Sequence, residues 1–292
     1  MTKKRISYNL RMFVVVVAAM FSLLPIAFII MNSLMSSMEV FTRYTSTINI
    51  YNYFGVTDGR MHYVEMTLLP DLLTLSSWRQ ILLENPTYLR FLWNSLILVI
   101  PIVLGQLVIS PLAAYGFERM RSRQKEKLFF AYIITMLLPM QALLVPHFIS
   151  ANILGINGNY LAIILPAVFA PFGIFLVRQQ MKGFPKEVIE AASVDGAAEF
   201  RIFYRVVLPN LKPTLIALTV LTFAEAWNIV DQAIVFIREE RQMPLSVYLS
   251  ATFSGDMGII FALSTLFMIP ALIVFIYGQD YLAEGISQSA PR

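Results

Sequence analysis

Two groups of polar residues interrupt an otherwise apolar chain. The first is the stretch EVIEAASVDGAAEF, Glu187 to Phe200, which holds three glutamates, one aspartate, four alanines and a glycine. The second is Glu225, Trp227, Asn228, Asp231 and Gln232, set between apolar runs. Read as a helix, this second group places Glu225, Asn228 and Gln232 at i, i+3 and i+7, on one face, with Asp231 beside them and Trp227 adjoining. Ionisable groups inside a membrane are costly and usually face a cavity. The chemistry on offer is therefore hydrogen bonding to a polar solute along a path, or polar bridging between helices. Neither group forms a paired catalytic constellation.

The rest of the composition narrows the function classes. The chain has 292 residues, 58% of them hydrophobic and 14% charged, with a mean hydropathy of +0.68. A soluble domain carries about 25% charged residues, so a membrane is the natural solvent. There is no cysteine, which excludes disulfides and thiolate metal sites, and the two histidines, His62 and His147, are too few for a histidine cluster. They read as loop or interface residues. No GxxxxGK[ST] occurs, so no phosphate-cradling loop of that type is present. The net charge of +4 is explained by basic loops flanking membrane spans rather than by nucleic acid.

Six apolar spans can be placed. Met12 to Met31 is a run of 20 uncharged residues, longer than a signal-peptide core of about 7–15 and fitted to a spanning helix, so it reads as a retained first span. The second is Phe91 to Phe117. Leu128 to Val177 has no charged residue in 50 positions and breaks near Gly155, Asn157, Gly158 and Asn159, giving spans at 128–146 and 159–177. The fifth runs over 214–237 and the sixth from Met257 to Gln279. With a cytoplasmic N-terminus, the inside segments 1–11, 118–127, 178–212 and 280–292 hold sixteen of the 22 lysines and arginines, and the outside segments hold six. That asymmetry supports cytoplasmic N- and C-termini. The end of the outside segment, LTLSSWRQILLENPTYLRF, has helical apolar spacing suited to the membrane surface. Pro139, Pro146, Pro166 and Pro171 are expected to kink helices. Gln106 and Gln141 read as bridges between helices, and Trp93 as an interface anchor.

The first polar group falls in the inside segment 178–212. Pro185 suits a helix start, Glu187 sits near a helix N-terminus where carboxylates are favourable, and Gly196 can take the left-handed conformation that ends a helix. A second helix, AEFRIFYRVV, follows. The expected unit is a short helix, a tight turn and another short helix beneath the membrane, with Ala191 and Ala192 keeping its surface low for a close-fitting partner.

At this point the sequence resembles a family. Glu190-Ala191-Ala192, three residues, Gly196, nine residues, Val206, one residue and Leu208-Pro209 resemble the EAA signature of permease subunits in binding-protein-dependent ABC importers, with Val206 where the family usually has Ile. WNSL (93–96), AAYGFERMR (113–121) and FAEAWN (223–228) also resemble that family, and IPALIVFIYGQDYLAEGI (269–286) is similar to the end of the maltose-type carbohydrate permeases. The closing SQSAPR departs from the tails of many relatives. The resemblance implies an all-α, six-span MetI-like permease fold of type I importers. Its divisions would be a first helix at 1–34, an extracytoplasmic segment at 35–89, a permease core at 90–282 with the cytoplasmic EAA loop at 178–212, and a tail at 283–292. It implies a non-catalytic, multi-pass subunit in a bacterial plasma membrane. Its partners would be a second, paralogous permease, two cytoplasmic ATPase subunits and an extracytoplasmic solute-binding protein; ATP and Mg would be bound by the ATPases and not by this chain. Glu190, Ala191, Ala192, Asp195, Gly196, Leu208 and Pro209 would couple to the ATPase. Glu225, Trp227, Asn228, Asp231 and Gln232 would line the carbohydrate path, with Trp227 offering a surface to sugar rings. The competing class is a self-sufficient ion-coupled secondary transporter or channel, which six spans and Glu225 also permit.

Overall fold

The computed structural model describes residues 2–40, 43, 56–57, 60–61, 69–120, 122–251 and 256–289. His62 lies outside them, as does most of the segment 41–68. Apart from a two-residue antiparallel pairing of Val56–Thr57 with Arg60–Met61, the described residues form helices and their connections, as expected where lipid leaves backbone groups no water to bond.

The main helices are α1 (Thr2–Asn32), α2 (Pro86–Arg119), α3 (Lys125–Ile134), α4 (Met140–Ile153), α5 (Leu161–Val168), α6 (Pro171–Lys182), α7 (Lys186–Val194), α8 (Glu199–Asn210), α9 (Lys212–Trp227), α10 (Asp231–Phe236), α11 (Leu245–Ala251) and α12 (Met257–Ser289). By length and composition, Arg11–Asn32, Pro86–Arg119, Leu161–Lys182 and Met257–Leu282 are each able to cross a bilayer. Two bent pairs qualify as broken spans: Lys125–Leu137 with Met140–Ile153, bent by 108°, and Glu199–Asn210 with Lys212–Trp227, bent by 73°.

This corrects three of the expected spans; the fourth, expected over 159–177, is interrupted at Phe169-Ala170 between α5 and α6. The third is not one helix over 128–146: it breaks at Leu138, whose extended backbone (ψ 129°) is what a residue before proline adopts, and resumes after Pro139. Pro146 stays inside α4, which continues to Ile153 and carries His147 on a helix rather than in a loop. The fifth does not run unbroken to 237. It ends at Trp227 and restarts at Asp231.

Residues 1–89 with 249–268 form one compact unit, and 90–248 with 269–292 a second. In the first, Met35 and Val40 are buried beneath Phe28, Met257 and Phe261, with Phe28 and Phe261 meeting edge to face at 5.9 Å. Trp78 Nε1 donates to Ser33 Oγ (3.2 Å), and the Thr74 amide to Leu34 O (2.8 Å). Arg43 bridges Glu39 (3.2 Å) and Asp71 (2.5 Å). From Met12 to Leu24, α1 keeps its apolar side chains exposed, which suits a helix whose solvent is lipid.

The second unit carries the sites. Its core groups Ala114 of α2, Phe129 of α3, Ile174 and Val177 of α6, Ile202 and Val207 of α8, and Leu218 of α9. Glycines permit the closest helix approaches. A Cβ on Gly105 would come within 2.4 Å of Val168, and one on Gly173 within 2.4 Å of Gln106 and Ser110.

Candidate functional site

Three helix interruptions converge on one cavity of about 710 Å³ in the second unit. They are the α3–α4 bend, the break between α5 and α6 at Phe169-Ala170, and the break between α9 and α10 at 228–230. A broken helix at membrane depth frees carbonyls that must find donors, and side chains supply them here. Gln106 Nε2 donates to Ala167 O at 2.8 Å, and the Tyr132 hydroxyl to Phe169 O at 2.5 Å. Asn228 Nδ2 donates to Ala224 O at 2.8 Å, and Ser246 Oγ to Ile229 O at 2.5 Å. Interrupted helices at this depth are tolerated where they are buried in protein or line a cavity, so their convergence makes this cavity the candidate solute site.

The wall combines Gln106, Thr135, Asn228 and Gln232 with the aromatic groups Tyr132, Phe169 and Phe236. It also carries Glu225, Asp231 and His147, and no lysine or arginine among the described residues. Asp231 Oδ2 accepts from Gln141 Nε2 at 3.1 Å. Glu225, Asn228, Asp231 and Gln232 therefore share the wall, although not as one helical stripe: the break after Trp227 turns the chain so that residues from two helices meet. Trp227 departs from expectation. It is 2% exposed, stacks on Phe223 at 5.2 Å and does not reach the cavity. Its indole is core packing, and the aromatic surface comes instead from Tyr132, Phe169 and Phe236. His147, read from sequence as a loop or interface residue, faces the cavity from α4.

The second candidate site is the loop after α6. Pro185 precedes α7 as its N-cap, and Glu187 lies in the first turn. The helix closes with two reciprocal bonds, Gly196 N–H to Ser193 O and Ala197 N–H to Ala192 O, both 3.1 Å, around Gly196 at φ 76°. This is the six-to-one and five-to-two pattern of a Schellman end. Glu190, Ala191 and Asp195 are exposed. Ala192 is not: with Ile189 and Ala197 it packs on the buried core that holds Phe129 and Val177. The expected low surface is thus one-sided. Ala191 remains available outside, while Ala192 seats α7 on its own chain. Leu208 and Pro209 open the last turn of α8, just before the 73° bend into α9. Around the loop, Val194 (86%), Phe200 (71%) and Tyr204 (61%) are exposed, an apolar group of the kind that marks an interaction surface.

Three residues that sequence reading assigned no role hold this loop. Glu199, at the start of α8, is gripped by the Tyr115 hydroxyl (2.6 Å) and by Arg119, both from the end of α2. Tyr115 and Arg119 stand four residues apart on one helix face, a spacing visible in AAYGFERMR; their distant partner is not.

The family described as "Binding-protein-dependent transport system inner membrane component" matches residues 106–288. The arabinooligosaccharides transport system permease protein AraQ of Halalkalibacterium halodurans is 30% identical over 221 residues, covering 75% of this chain and 79% of that protein. The lactose transport system permease protein LacG of Rhizobium radiobacter is 30% identical over 197 residues, covering 66% and 72%. A chain from the crystal structure of a bacterial ABC transporter involved in the import of the acidic polysaccharide alginate shares the fold. It has a TM-score of 0.77 and 24% identity, over 96% of this chain and 98% of that one.

Proposed function

The chain belongs to the family of inner membrane components of binding-protein-dependent transport systems, and from that premise we propose that it is a permease subunit of an ATP-driven carbohydrate importer. The cavity bounded by broken helices forms this subunit's part of the path. Its amides, hydroxyls and aromatic faces suit a polyhydroxylated solute, in keeping with the sugar systems in which its relatives are named. The loop at 178–212 meets cytoplasmic ATPase subunits, with Glu190, Ala191, Asp195 and the exposed apolar group around them as the contact. The N- and C-termini are cytoplasmic, and the membrane is the bacterial plasma membrane. A second, paralogous permease completes the path, and a solute-binding protein delivers to it from outside. ATP and Mg are bound by the ATPases; this chain supplies no catalytic group.

The observation that carries the proposal is that α7 rests on a core that contains residues of α3, α6 and α9, helices whose other ends frame the cavity. A push on α7 therefore reaches the path through packed side chains, the kind of rigid-body switch by which such systems alternate. The test is uptake and solute-stimulated ATP hydrolysis by the reconstituted complex carrying Glu190→Ala. Loss of stimulated hydrolysis with normal membrane insertion supports the proposal. Normal uptake, or uptake by the chain alone on an ion gradient, overturns it and favours a self-sufficient transporter.

A further inference from the structure

Arg178 is completely buried in the second half of α6, five residues before the turn that leads into α7. Its guanidinium makes two contacts to Glu126 at the start of α3, Nη2 to Oε1 at 2.6 Å and Nη1 to Oε2 at 3.3 Å. It lies over the Phe129 ring at 3.9 Å and nearer the edge of range from Phe117 at 6.0 Å. Its Nε stands 3.6 Å from Glu118 Oε2 on α2, and both of those atoms are buried without a hydrogen bond. A buried charge is tolerated only with such pairing, and arginine suits the place because its planar fork pairs two oxygens while its face stacks on an aromatic ring.

The same two helices are joined again at their far ends, where Tyr132 of α3 donates to Phe169 O, just before α6. Tyr132 and Phe169 both line the cavity. Between the two joints, Phe129, Ile174 and Val177 fill the α3–α6 seam with buried apolar side chains. The pair is thus fastened beside α7 by charge and at the cavity wall by a hydroxyl.

We infer that Arg178 is a positioning residue for coupling: by fastening α6 to α3 through Glu126, it makes the two helices one lever that carries motion of α7 to the cavity wall. This rests on the reading of α7 as the ATPase contact. Arg178 does not line the cavity. Its effect is on how faithfully one event drives the other, a coupling free energy between two sites. The 3.6 Å ion pair from Arg178 Nε to Glu118 Oε2 ties the same lever to α2.

The experiment uses the full complex with its own ATPase, second permease and binding protein in proteoliposomes, and measures ATP hydrolysed per solute imported. The variants are the paired neutral change Arg178→Met with Glu126→Gln, which leaves no unpaired guanidinium, the conservative Arg178→Lys, and Tyr132→Phe at the other joint. The paired variant is expected to assemble and hydrolyse ATP at the basal rate, with the ATP-to-solute ratio raised at least about fivefold, the lower bound of usual coupling effects. Tyr132→Phe should raise the ratio more modestly, and Arg178→Lys should not rescue, since an ammonium cannot make the bidentate, stacked contact. A residue that merely stabilises the fold would lower uptake and hydrolysis together and leave the ratio unchanged. An unchanged ratio in the paired variant while Glu190→Ala loses stimulated hydrolysis overturns the lever and leaves the ATPase contact standing. An unchanged ratio in the paired variant together with normal stimulated hydrolysis in Glu190→Ala overturns the two readings together. If the paired variant fails to assemble, Arg178→Lys decides alone, because it keeps a cation beside Glu126 without the bidentate, stacked contact: a normal ratio there refutes the inference.

Discussion

Gly196 sets the end of α7, and substituting it perturbs the proposed ATPase contact without touching a span. Its φ of 76° lies in the left-handed region, and a Cβ there meets no atom within 4 Å. The penalty for a side chain is therefore conformational rather than steric. A non-glycine residue in that region costs about 1–2 kcal/mol, offset by about 0.4–1 kcal/mol from the reduced freedom of the unfolded chain. The net for Gly196→Ala is about 1 kcal/mol. Gly196→Asn should cost less, since asparagine is enriched at such φ, and Gly196→Val more, since β-branched residues are outliers there. If the turn yields, the two 3.1 Å closing bonds are lost and α7 frays. The docking-competent fraction falls, and the apparent dissociation constant rises in proportion. At 1.4 kcal/mol per decade, alanine should weaken ATPase binding by up to about fivefold. The assay is titration of purified ATPase onto the permease complex in detergent, with far-ultraviolet circular dichroism to confirm that the spans persist. The order Gly, Asn, Ala, Val in decreasing affinity is expected. Equal affinity across the series, or asparagine as damaging as valine, refutes the argument that backbone conformation sets the contact.

Three further expectations follow from the same geometry. Asn228→Leu removes an amide from the cavity wall and should lower uptake at low solute by about tenfold, from about 1–3 kcal/mol of lost hydrogen bonding, while assembly with the ATPase is retained; unchanged uptake would make Asn228 only the clasp of the α9 end. Gln106→Leu removes the side-chain donor to Ala167 O at the α5–α6 break and leaves it only the 3.2 Å bond from the Ala170 amide; it should destabilise the complex by about 0.5–1.5 kcal/mol, read as an earlier thermal transition, whereas an unchanged transition would show that the break needs no side-chain donor. A cysteine at Ser122 should react only with reagent that reaches the cytoplasmic side, as the sixteen-to-six division of basic residues requires; labelling from outside would invert the topology. The complementary position for that labelling, Ser46, lies outside the described residues.

The spans were legible because long uncharged runs have few alternatives in a chain this apolar. Their interruptions were not equally so. Pro139 and Pro171 end or begin helices, while Pro146 and Pro166 ride inside them, and proline alone does not distinguish a break from a kink. The break after Trp227 has no proline or glycine at all. It is held by the Ser246 hydroxyl on Ile229 O, a contact 17 residues away that no local pattern signals. For that reason the local pattern reads as a helical stripe of Glu225, Asn228 and Gln232 with Trp227 adjoining it. Gly196 was legible because its conformation is a property of the residue itself, whereas the inward turn of Ala192 depends on which side of α7 the core occupies. The Arg178–Glu126 pair left a faint trace: the 50-residue run without charge is bracketed by Lys127, next to Glu126, and Arg178. A hairpin of apolar helices returns its two ends to the same level, and opposite charges at those ends are natural partners.

The central claim, that α7 is the point where this chain meets the ATPase, is tested most directly by cross-linking. The chain has no cysteine, so a single one introduced at the exposed Ala191 is unambiguous. In membranes holding the complete complex, a thiol-reactive cross-linker of short span at residue 191 should join the chain to an ATPase subunit, with a yield that changes when nucleotide and loaded binding protein are added. Cross-linking only to lipid-embedded subunits, or none under any nucleotide condition while the complex remains assembled, would contradict the account.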